Sequence, residues 1–293
     1  MPYSSYYAPQ RLEDLLDVLA EKRETARVLA GGTDFVVAMR EGKLNCEDIV
    51  ALHKVPELKG IQLQGDTIVV GAMTTHTELA KSPLINEKAW LLAQAAAAVG
   101  SPQIRNAGTV GGNIVNASPA ADTVPALVAL DARVKIVKKG GVREMPLEDV
   151  FLGMGKTKLA ADEIIQEIIF PALDKRTGSA FIKLARRNAL AISRVSIAAI
   201  VGLSGHESQD STFTDCRIAL GAVAPNPFRV RSAEKALIGC SFDAGSLDSC
   251  VEAAFQEISI TLGQRASAIY KKKAGPALVR RAISIAMDQV GGR

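Results

Sequence analysis

The spacing of hydrophobic positions predicts an α/β unit at the start of the chain. Apolar residues recur at helical spacing over Leu12 to Lys22 and again after Phe35. Short apolar runs at Ala26 to Ala30 and at Asp48 to Leu52 have the length and texture of buried strands. Helices and strands therefore alternate over residues 1–56.

The pattern changes twice farther along. From residue 57 it predicts strands with turns, then an alanine-rich helix over Lys88 to Val99 and a long, weakly charged segment. After residue 173 it predicts a strand at Ala180 to Ala185, a helix or strand through Ile192 to Leu203 and a strand from Cys216, with helices at 233–238, 247–262 and 275–290. We therefore expect an α+β protein with two α/β subdomains, 1–56 and 57–173, and a C-terminal α+β domain, 178–290.

Composition narrows the class of protein. The 293 residues are 48% hydrophobic and 23% charged, with a net charge of +4 that is too small and scattered for a nucleic-acid-binding surface. The sequence shows neither a secretory leader nor an apolar stretch near membrane length, so we expect a cytoplasmic protein. The 4 cysteines are far apart, which favours reduced packing residues and no metal site.

A double glycine lies between the first predicted strand and the helix that follows it. In the stretch "LAGGTDFV", Gly31 and Gly32 follow the strand, and Thr33 or Asp34 stands where a helix N-cap belongs. A turn of this kind can aim backbone N–H groups at a phosphate. A tight turn that binds nothing is the alternative, because Gly-Gly pairs are common in turns.

A second glycine-rich segment runs from Ile104 to Asp122. It is nearly uncharged and offers glycine, asparagine, threonine and serine, which suit close contact with a polar ligand. Asp122, followed by Pro125, predicts the start of a helix. Two such turns indicate either a ligand with two or more phosphates or two unrelated loops. Neither glycine-rich segment has the G-x-G-x-x-G spacing of a Rossmann site.

Other chemical motifs are weak. "GMGKT" at residues 153–157 lacks the first glycine of a phosphate-binding loop, because Val150 occupies that position, and we interpret it as a surface loop. The histidines, His53, His76 and His206, have no metal-ligand spacing and are expected to be structural or surface residues. The sequence therefore predicts that the chain binds a reactive cofactor and that this cofactor supplies the chemistry.

Several motifs together carry a family resemblance. "LAGGTDFV", "GAMTTHTELA", "PQIRNAGTVGGNIVNASPAADTVPAL", "DEIIQEIIFP" and "FIKLARRNALAISRVSIAAI" occur in one order over nearly the whole chain. They resemble the FAD-binding subunit of bacterial xanthine dehydrogenase and its relatives, including the medium subunit of aerobic carbon monoxide dehydrogenase.

The resemblance implies a fold and a set of partners. The fold would be the vanillyl-alcohol-oxidase (PCMH) type of FAD-binding fold, followed by a C-terminal domain of the carbon monoxide dehydrogenase flavoprotein type. The partners would be a molybdopterin-binding large subunit, which hydroxylates the substrate, and a small subunit with two [2Fe–2S] clusters. FAD in this chain would pass the electrons to NAD+ or to another acceptor such as a quinone.

It also implies roles for individual residues. The turn around Ala30 to Asp34 would hold the FAD pyrophosphate, the second loop would reach it, and Asp122 would bind ribityl or ribose hydroxyls. Ile164 or Ile165 would lie against the flavin or adenine, and Lys183, the catalytic candidate, would stabilise the charge of the reduced flavin. The expected cofactor-binding residues are Leu29, Ala30, Gly31, Gly32, Thr33, Asp34, Phe35, Thr109, Gly111, Gly112, Asn113, Asp122, Ile164, Ile165 and Lys183.

One departure concerns the electron outlet. Many relatives carry an acid just after the Lys-Arg segment, whereas this chain has the uncharged Asn188-Ala189-Leu190-Ala191. NAD+ remains the favoured acceptor over a quinone. A self-sufficient flavin oxidase and a flavin-free scaffold subunit are the alternatives from other classes, and the substrate of the large subunit is not encoded in this chain.

Overall fold

The computed structural model describes residues 4–187, 190–204, 211–241, 243–264 and 268–290. Within them lie a 3-stranded, a 5-stranded and a 4-stranded sheet, together with a small 2-stranded sheet. His206 and the pair Asn188 and Ala189 lie outside the described residues. In the described part of the chain, we find no helix with a stretch long and apolar enough to cross a bilayer.

The first sheet is parallel and has the strand order β1-β3-β2. Helix α1 covers it with Leu15 and Leu19, which are fully buried and lie one helical turn apart. The elements are β1 (Ser5–Tyr7), α1 (Leu12–Lys22), β2 (Ala26–Leu29), α2 (Phe35–Arg40) and β3 (Asp48–Ala51).

The second sheet is antiparallel, with the order β4-β5-β10-β6-β7, and six helices are inserted between β5 and β6. Every residue of α8 is buried, so this helix is the centre of the largest core. The elements are β4 (Ile61–Gln64), β5 (Thr67–Gly71), α3 (His76–Lys81), α4 (Pro83–Lys88), α5 (Trp90–Ala97), α6 (Pro102–Ala107), α7 (Val110–Val115), α8 (Thr123–Ala129), β6 (Arg133–Lys138), β7 (Gly141–Pro146), β8 (Phe151–Gly153), β9 (Lys156–Thr157) and β10 (Ile164–Pro171).

The alanine-rich helix expected over Lys88 to Val99 is present as α5, and Ala89, at φ −155° and ψ 50°, separates it from α4. One local prediction in this region is wrong. The segment after Ile104 is not a continuous loop. Ser101 and Thr109 each accept a hydrogen bond from a backbone N–H three residues later, and these caps begin the short helices α6 and α7.

The third sheet is antiparallel, with the order β11-β12-β13-β14. All nine residues of β12 are buried, since α11 packs on one face of the sheet while α8 of the preceding unit packs on the other. The elements are β11 (Thr177–Leu184), β12 (Val195–Leu203), β13 (Phe213–Gly221), β14 (Phe228–Arg229), α9 (Arg231–Leu237), α10 (Ala244–Leu262) and α11 (Ala268–Asp288).

This packing joins the C-terminal sheet to the preceding helices. Phe181, Ala198 and Ala219 belong to the same buried cluster as the residues of α5 and α8. The backbone N–H of Phe181 also donates to Oε1 of Gln94 at 3.0 Å. Strand β11 is thereby fixed beside α5, near one end of the site described next.

Candidate cofactor site

A cavity of about 560 Å³ lies between the first sheet and the helices of the second unit. Its volume is within the range of small-molecule and cofactor sites. Its wall has four parts: the turn after β2, the start of α3, the segment of α6 and α7, and the chain leading into β10. The expected residues on this wall are Ala30, Gly31, Gly32, Thr33, Asp34, Phe35, Thr109, Gly111, Gly112, Asn113, Ile164 and Ile165.

The turn after β2 offers main-chain donors. The N–H groups of Gly31, Gly32 and Thr33 donate to no acceptor among the described residues. Gly32 has a φ of +75°, and a Cβ on Gly31 would lie 1.8 Å from the carbonyl oxygen of Ala107. Glycine is therefore required at both positions, at Gly32 for its backbone conformation and at Gly31 because a side chain has no space.

Asp34 stands at the N-cap position of α2, although its side chain makes no capping bond. Its carboxylate instead accepts bonds from Oγ1 of Thr33 at 3.2 Å and from Nδ2 of Asn116 at 3.4 Å. The last contact joins the first turn to the C-cap residue of α7, and Asp34 and Asn116 both line the cavity.

Helix α7 offers side chains rather than main-chain donors. The N–H of Gly111 donates to Ala72, that of Gly112 to Oγ1 of Thr109, and that of Asn113 to the Thr109 carbonyl. Asn113 accepts a bond from Oγ1 of Thr123 at 2.7 Å, which orients its amide. The hydroxyl of Thr109 and the amide NH2 of Asn113 are the donors that remain for a ligand.

The chain leading into β10 forms an apolar wall. Ile164 and Ile165 are both buried and both line the cavity, although they pack in different hydrophobic clusters. Glu163 beside them accepts bonds from Arg143 at 2.7 and 2.9 Å, which lower the pKa of its carboxyl. The turn between β8 and β9 brings Gly155 to the same wall, so "GMGKT" is not only a surface loop.

His76 is a wall residue that the sequence did not reveal. It begins α3 and is 2% exposed, and its Nδ1 has no hydrogen-bond partner among the described residues. Burial, with a smaller contribution from Arg105, lowers the pKa of the imidazole to about 4. A lone histidine has no spacing signal, so only the fold could place it here.

Asp122 and Lys183 lie outside the cavity wall and contact each other. Nζ of Lys183 is 2.6 Å from Oδ2 of Asp122 and donates to the carbonyl of Ala98 at 2.9 Å, while Oγ of Ser193 donates to Oδ1 of Asp122 at 2.5 Å. Burial raises the pKa of Asp122 more than these partners lower it. Leu29 is also absent from the wall, although its side chain lies beside Gly32.

These features fit a dinucleotide. Free backbone N–H groups suit a pyrophosphate, the aliphatic wall suits a planar ring, and the unpaired nitrogen of His76 suits a polar ligand edge. The turn after β2 also requires glycine at two positions, because a Cβ at either one would disrupt the turn.

Comparison with known proteins decides the family. The family described as "FAD binding domain in molybdopterin dehydrogenase" matches residues 2–173. The chain belongs to this family. Residues 180–286 match the "CO dehydrogenase flavoprotein C-terminal domain".

Individual members of the molybdenum hydroxylase family match over nearly their whole length. A putative xanthine dehydrogenase FAD-binding subunit of Escherichia coli is 32% identical over 99% of this chain and 98% of its own. A nicotinate dehydrogenase FAD-subunit of Eubacterium barkeri is 31% identical over 98% and 97%. The solved carbon monoxide dehydrogenase of Hydrogenophaga pseudoflava contains a chain of TM-score 0.90 and 32% identity, with 99% of both chains covered.

These matches confirm the family, the fold and the cofactor expected from the sequence. The chain is an FAD-binding subunit of the molybdenum hydroxylase family, with the two-part arrangement of an FAD-binding region and a carbon monoxide dehydrogenase-type C-terminal domain. The relatives are named for different substrates, so family membership leaves the substrate open.

Proposed function

We propose that the chain is the FAD-carrying electron-transfer subunit of a cytoplasmic, heterotrimeric molybdenum hydroxylase of the xanthine dehydrogenase type. It would accept electrons from the [2Fe–2S] clusters of a small subunit and pass them to NAD+. A large molybdopterin-binding subunit would carry out the hydroxylation.

The observation that carries this proposal is the cavity itself. Free N–H groups on the turn after β2 and side-chain donors on α7 line one cavity together with the apolar residues Ile164 and Ile165. Such an arrangement supports a phosphate-centred ligand with a ring at each end. It also argues against the flavin-free scaffold alternative, because a scaffold has no need of unpaired donors around a cavity.

The residues have separate tasks in this proposal. Bound FAD supplies the redox chemistry, since a flavin can exchange electrons singly and in pairs. The turn at Gly31 and Gly32 holds the phosphates, Thr109 and Asn113 orient them, and Ile164 and Ile165 cover a ring. Lys183, held by Asp122 and by the Ala98 carbonyl, places a positive charge behind the cavity wall, at the residue before the wall residue Val99.

The chain is similar both to the FAD-binding subunit of a xanthine dehydrogenase and to a chain of a carbon monoxide dehydrogenase, at TM-score 0.90. We propose NAD+ as the acceptor, with a carbon monoxide dehydrogenase-type subunit that uses a quinone or another acceptor as the alternative. Reduction of NAD+ and of a soluble quinone by the assembled, substrate-reduced complex separates these two possibilities.

The first prediction concerns cofactor content. The purified chain should contain FAD bound without a covalent link, so acid precipitation should leave a yellow supernatant whose absorbance corresponds to about one flavin per chain. A colourless chain that does not take up added FAD would overturn the proposal. Turnover of xanthine by the chain without partners would instead favour the self-sufficient oxidase.

A further inference from the structure

His76 combines two properties that are rarely found together. Its side chain is 2% exposed, yet Nδ1 has no hydrogen-bond partner among the described residues. A buried polar atom left unpaired destabilises the folded chain, and native proteins leave few of them. Because His76 also lines the cavity, a bound ligand can supply the missing partner.

The position of the ring is fixed on several sides. The backbone N–H of His76 donates to the carbonyl of Gly108 at 3.1 Å, and Thr75 before it forms a capping box with Glu78. A Cβ on Gly108 would lie 3.2 Å from Cδ2 of the ring, so Gly108 packs closely against it. The imidazole is therefore preorganised rather than loosely held.

The location of His76 selects one end of the cavity. The first sheet supplies Arg27 and Val28 to the wall, whereas His76 lies at the end formed by α6 and Val99, because Gly108 after α6 packs on its ring and Arg105 of α6 donates to the Val99 carbonyl at 2.8 Å. Lys183 lies behind this end, because its Nζ donates to the carbonyl of Ala98, the residue before Val99. In the proposed function, Lys183 marks the flavin end.

We propose that His76 is a cofactor-binding residue whose imidazole hydrogen-bonds the flavin half of FAD. This proposal rests on the proposed function, since it takes FAD as the ligand and Lys183 as the marker of the flavin end. A neutral imidazole offers one donor and one acceptor, and both types of partner occur along the edge of an isoalloxazine ring.

The test uses His76→Leu in the full chain, with Ser196→Ala as the matched control. Ser196 is also fully buried with an unpaired Oγ, but it lies in β12 and does not line the cavity. Flavin fluorescence during titration of the cofactor-free chain gives the dissociation constants for FAD and, by competition, for ADP. We expect His76→Leu to weaken FAD binding about tenfold, or about 1.4 kcal/mol, and to leave ADP binding unchanged. Ser196→Ala should change neither.

A second measurement separates binding from a purely structural role. The melting temperature of the cofactor-free chain should be equal or higher in His76→Leu, because leucine fills the space without an unpaired nitrogen. The FAD-saturated chain should melt at a lower temperature than the saturated wild type. If His76→Leu fails to fold, His76→Gln, which keeps a donor and an acceptor, is used instead and should retain more FAD affinity than His76→Ala.

Three results would overturn the inference: equal FAD affinity in wild type and variant, an equal loss of ADP affinity, or an equal loss of melting temperature with and without FAD. A wild-type chain that binds no FAD would overturn the proposed function instead.

Discussion

Gly31 and Gly32 are neighbours in sequence, but they are constrained for different reasons. At Gly32 the backbone has a φ of +75°, while a Cβ would meet only the side chains of Leu29 and Val36 at 3.4 Å. At Gly31 the conformation is ordinary, and the obstacle is the main chain of residue 107. A substitution at Gly32 therefore tests the direction of the N–H groups with the least disturbance to packing.

Gly32→Val should abolish or strongly weaken FAD binding and leave most of the fold intact. A β-branched residue resists a positive φ, so the turn would rotate its N–H groups away from the phosphates at a cost of about 1–2 kcal/mol. Gly42→Val is the control, since Gly42 has a φ of +70° with nothing within 4 Å and does not line the cavity. Both variants should lose similar stability in urea unfolding, and only Gly32→Val should lose flavin after gel filtration. Full flavin content in Gly32→Val would show that this turn does not hold the phosphates.

Among the elements, the start of β10 is a part of the wall that an ion pair supports in addition to its pairing with β6. Arg143 in β7 bonds both carboxylate oxygens of Glu163 and also donates to the carbonyl of Lys158 at 3.1 Å. Glu163 in turn accepts a bond from the N–H of Ala160 at 3.0 Å. The apolar wall at Ile164 and Ile165 is thus fastened to the second sheet.

This ion pair makes the stability of the folded chain depend on pH in a predictable direction. The pKa of Glu163 is lower in the folded chain than its ordinary value of 4.5, so the stability it contributes is present above that value and is lost as the pH falls below it. Glu163→Gln should lower the free energy of unfolding by about 1.5 kcal/mol at pH 6. This is a low value for a hydrogen-bonded charged pair, because Arg143 is partly exposed. The difference from wild type should shrink by pH 3.5 in urea unfolding. Glu144→Gln, which breaks a half-exposed pair with Arg133, is the control and should change little. A pH-independent difference for Glu163→Gln would contradict the assignment.

Elements with a long periodic pattern could be predicted from the sequence. Helix α1 was expected over Leu12 to Lys22, and the structure has the same bounds. The turn at Gly31 and Gly32 was also accessible, because strand, glycine pair and helix follow one another directly. In contrast, α11 covers Ala268–Asp288 instead of 275–290, and Pro276 lies inside the helix.

Features that depend on contacts distant in sequence could not be predicted. Helices α6 and α7 are each six residues long, too short for a periodic pattern, and their side-chain caps are weak signals. The burial of His76 and the pairing of Asp122 with Lys183 arise only when helices and sheets pack. The family resemblance supplied roles for Asp122 and Lys183, but not their contact with each other.

At the scale of the whole molecule, the contact of Asp122 with Lys183 crosses from the FAD-binding region to the C-terminal sheet. The side chains are 7% and 15% exposed, and Ser193 completes the hydrogen bonding of the carboxylate. Helices α5 and α8 pack on β11 to β13 around it. The ion pair therefore fixes how the sheet is placed against the cavity.

Lys183→Ala should destabilise the chain by about 3–5 kcal/mol, because it leaves the buried carboxylate of Asp122 without its cation. In the double variant with Asp122→Asn the loss should be much smaller than the sum of the single losses, as measured by urea unfolding. In the assembled complex, stopped-flow measurements should show slower flavin reduction in Lys183→Ala, whereas Asp122→Asn, which keeps the positive charge, should stay near wild type.

The two measurements have separate negative results. Additive losses of stability would mean that the pair does not couple the two regions energetically. Unchanged flavin reduction in Lys183→Ala would leave Lys183 as a structural residue only.

The approach of Gly31 to residue 107 also bears on how such chains diverge. The contact is made by a carbonyl oxygen, which is the same whatever side chain residue 107 carries, and the side chain of Ala107 is exposed. Substitution can therefore proceed at position 107 while position 31 remains glycine. Because only one partner of the contact is constrained, the two positions have no reason to change together during evolution, and correlated substitutions would not reveal that they touch.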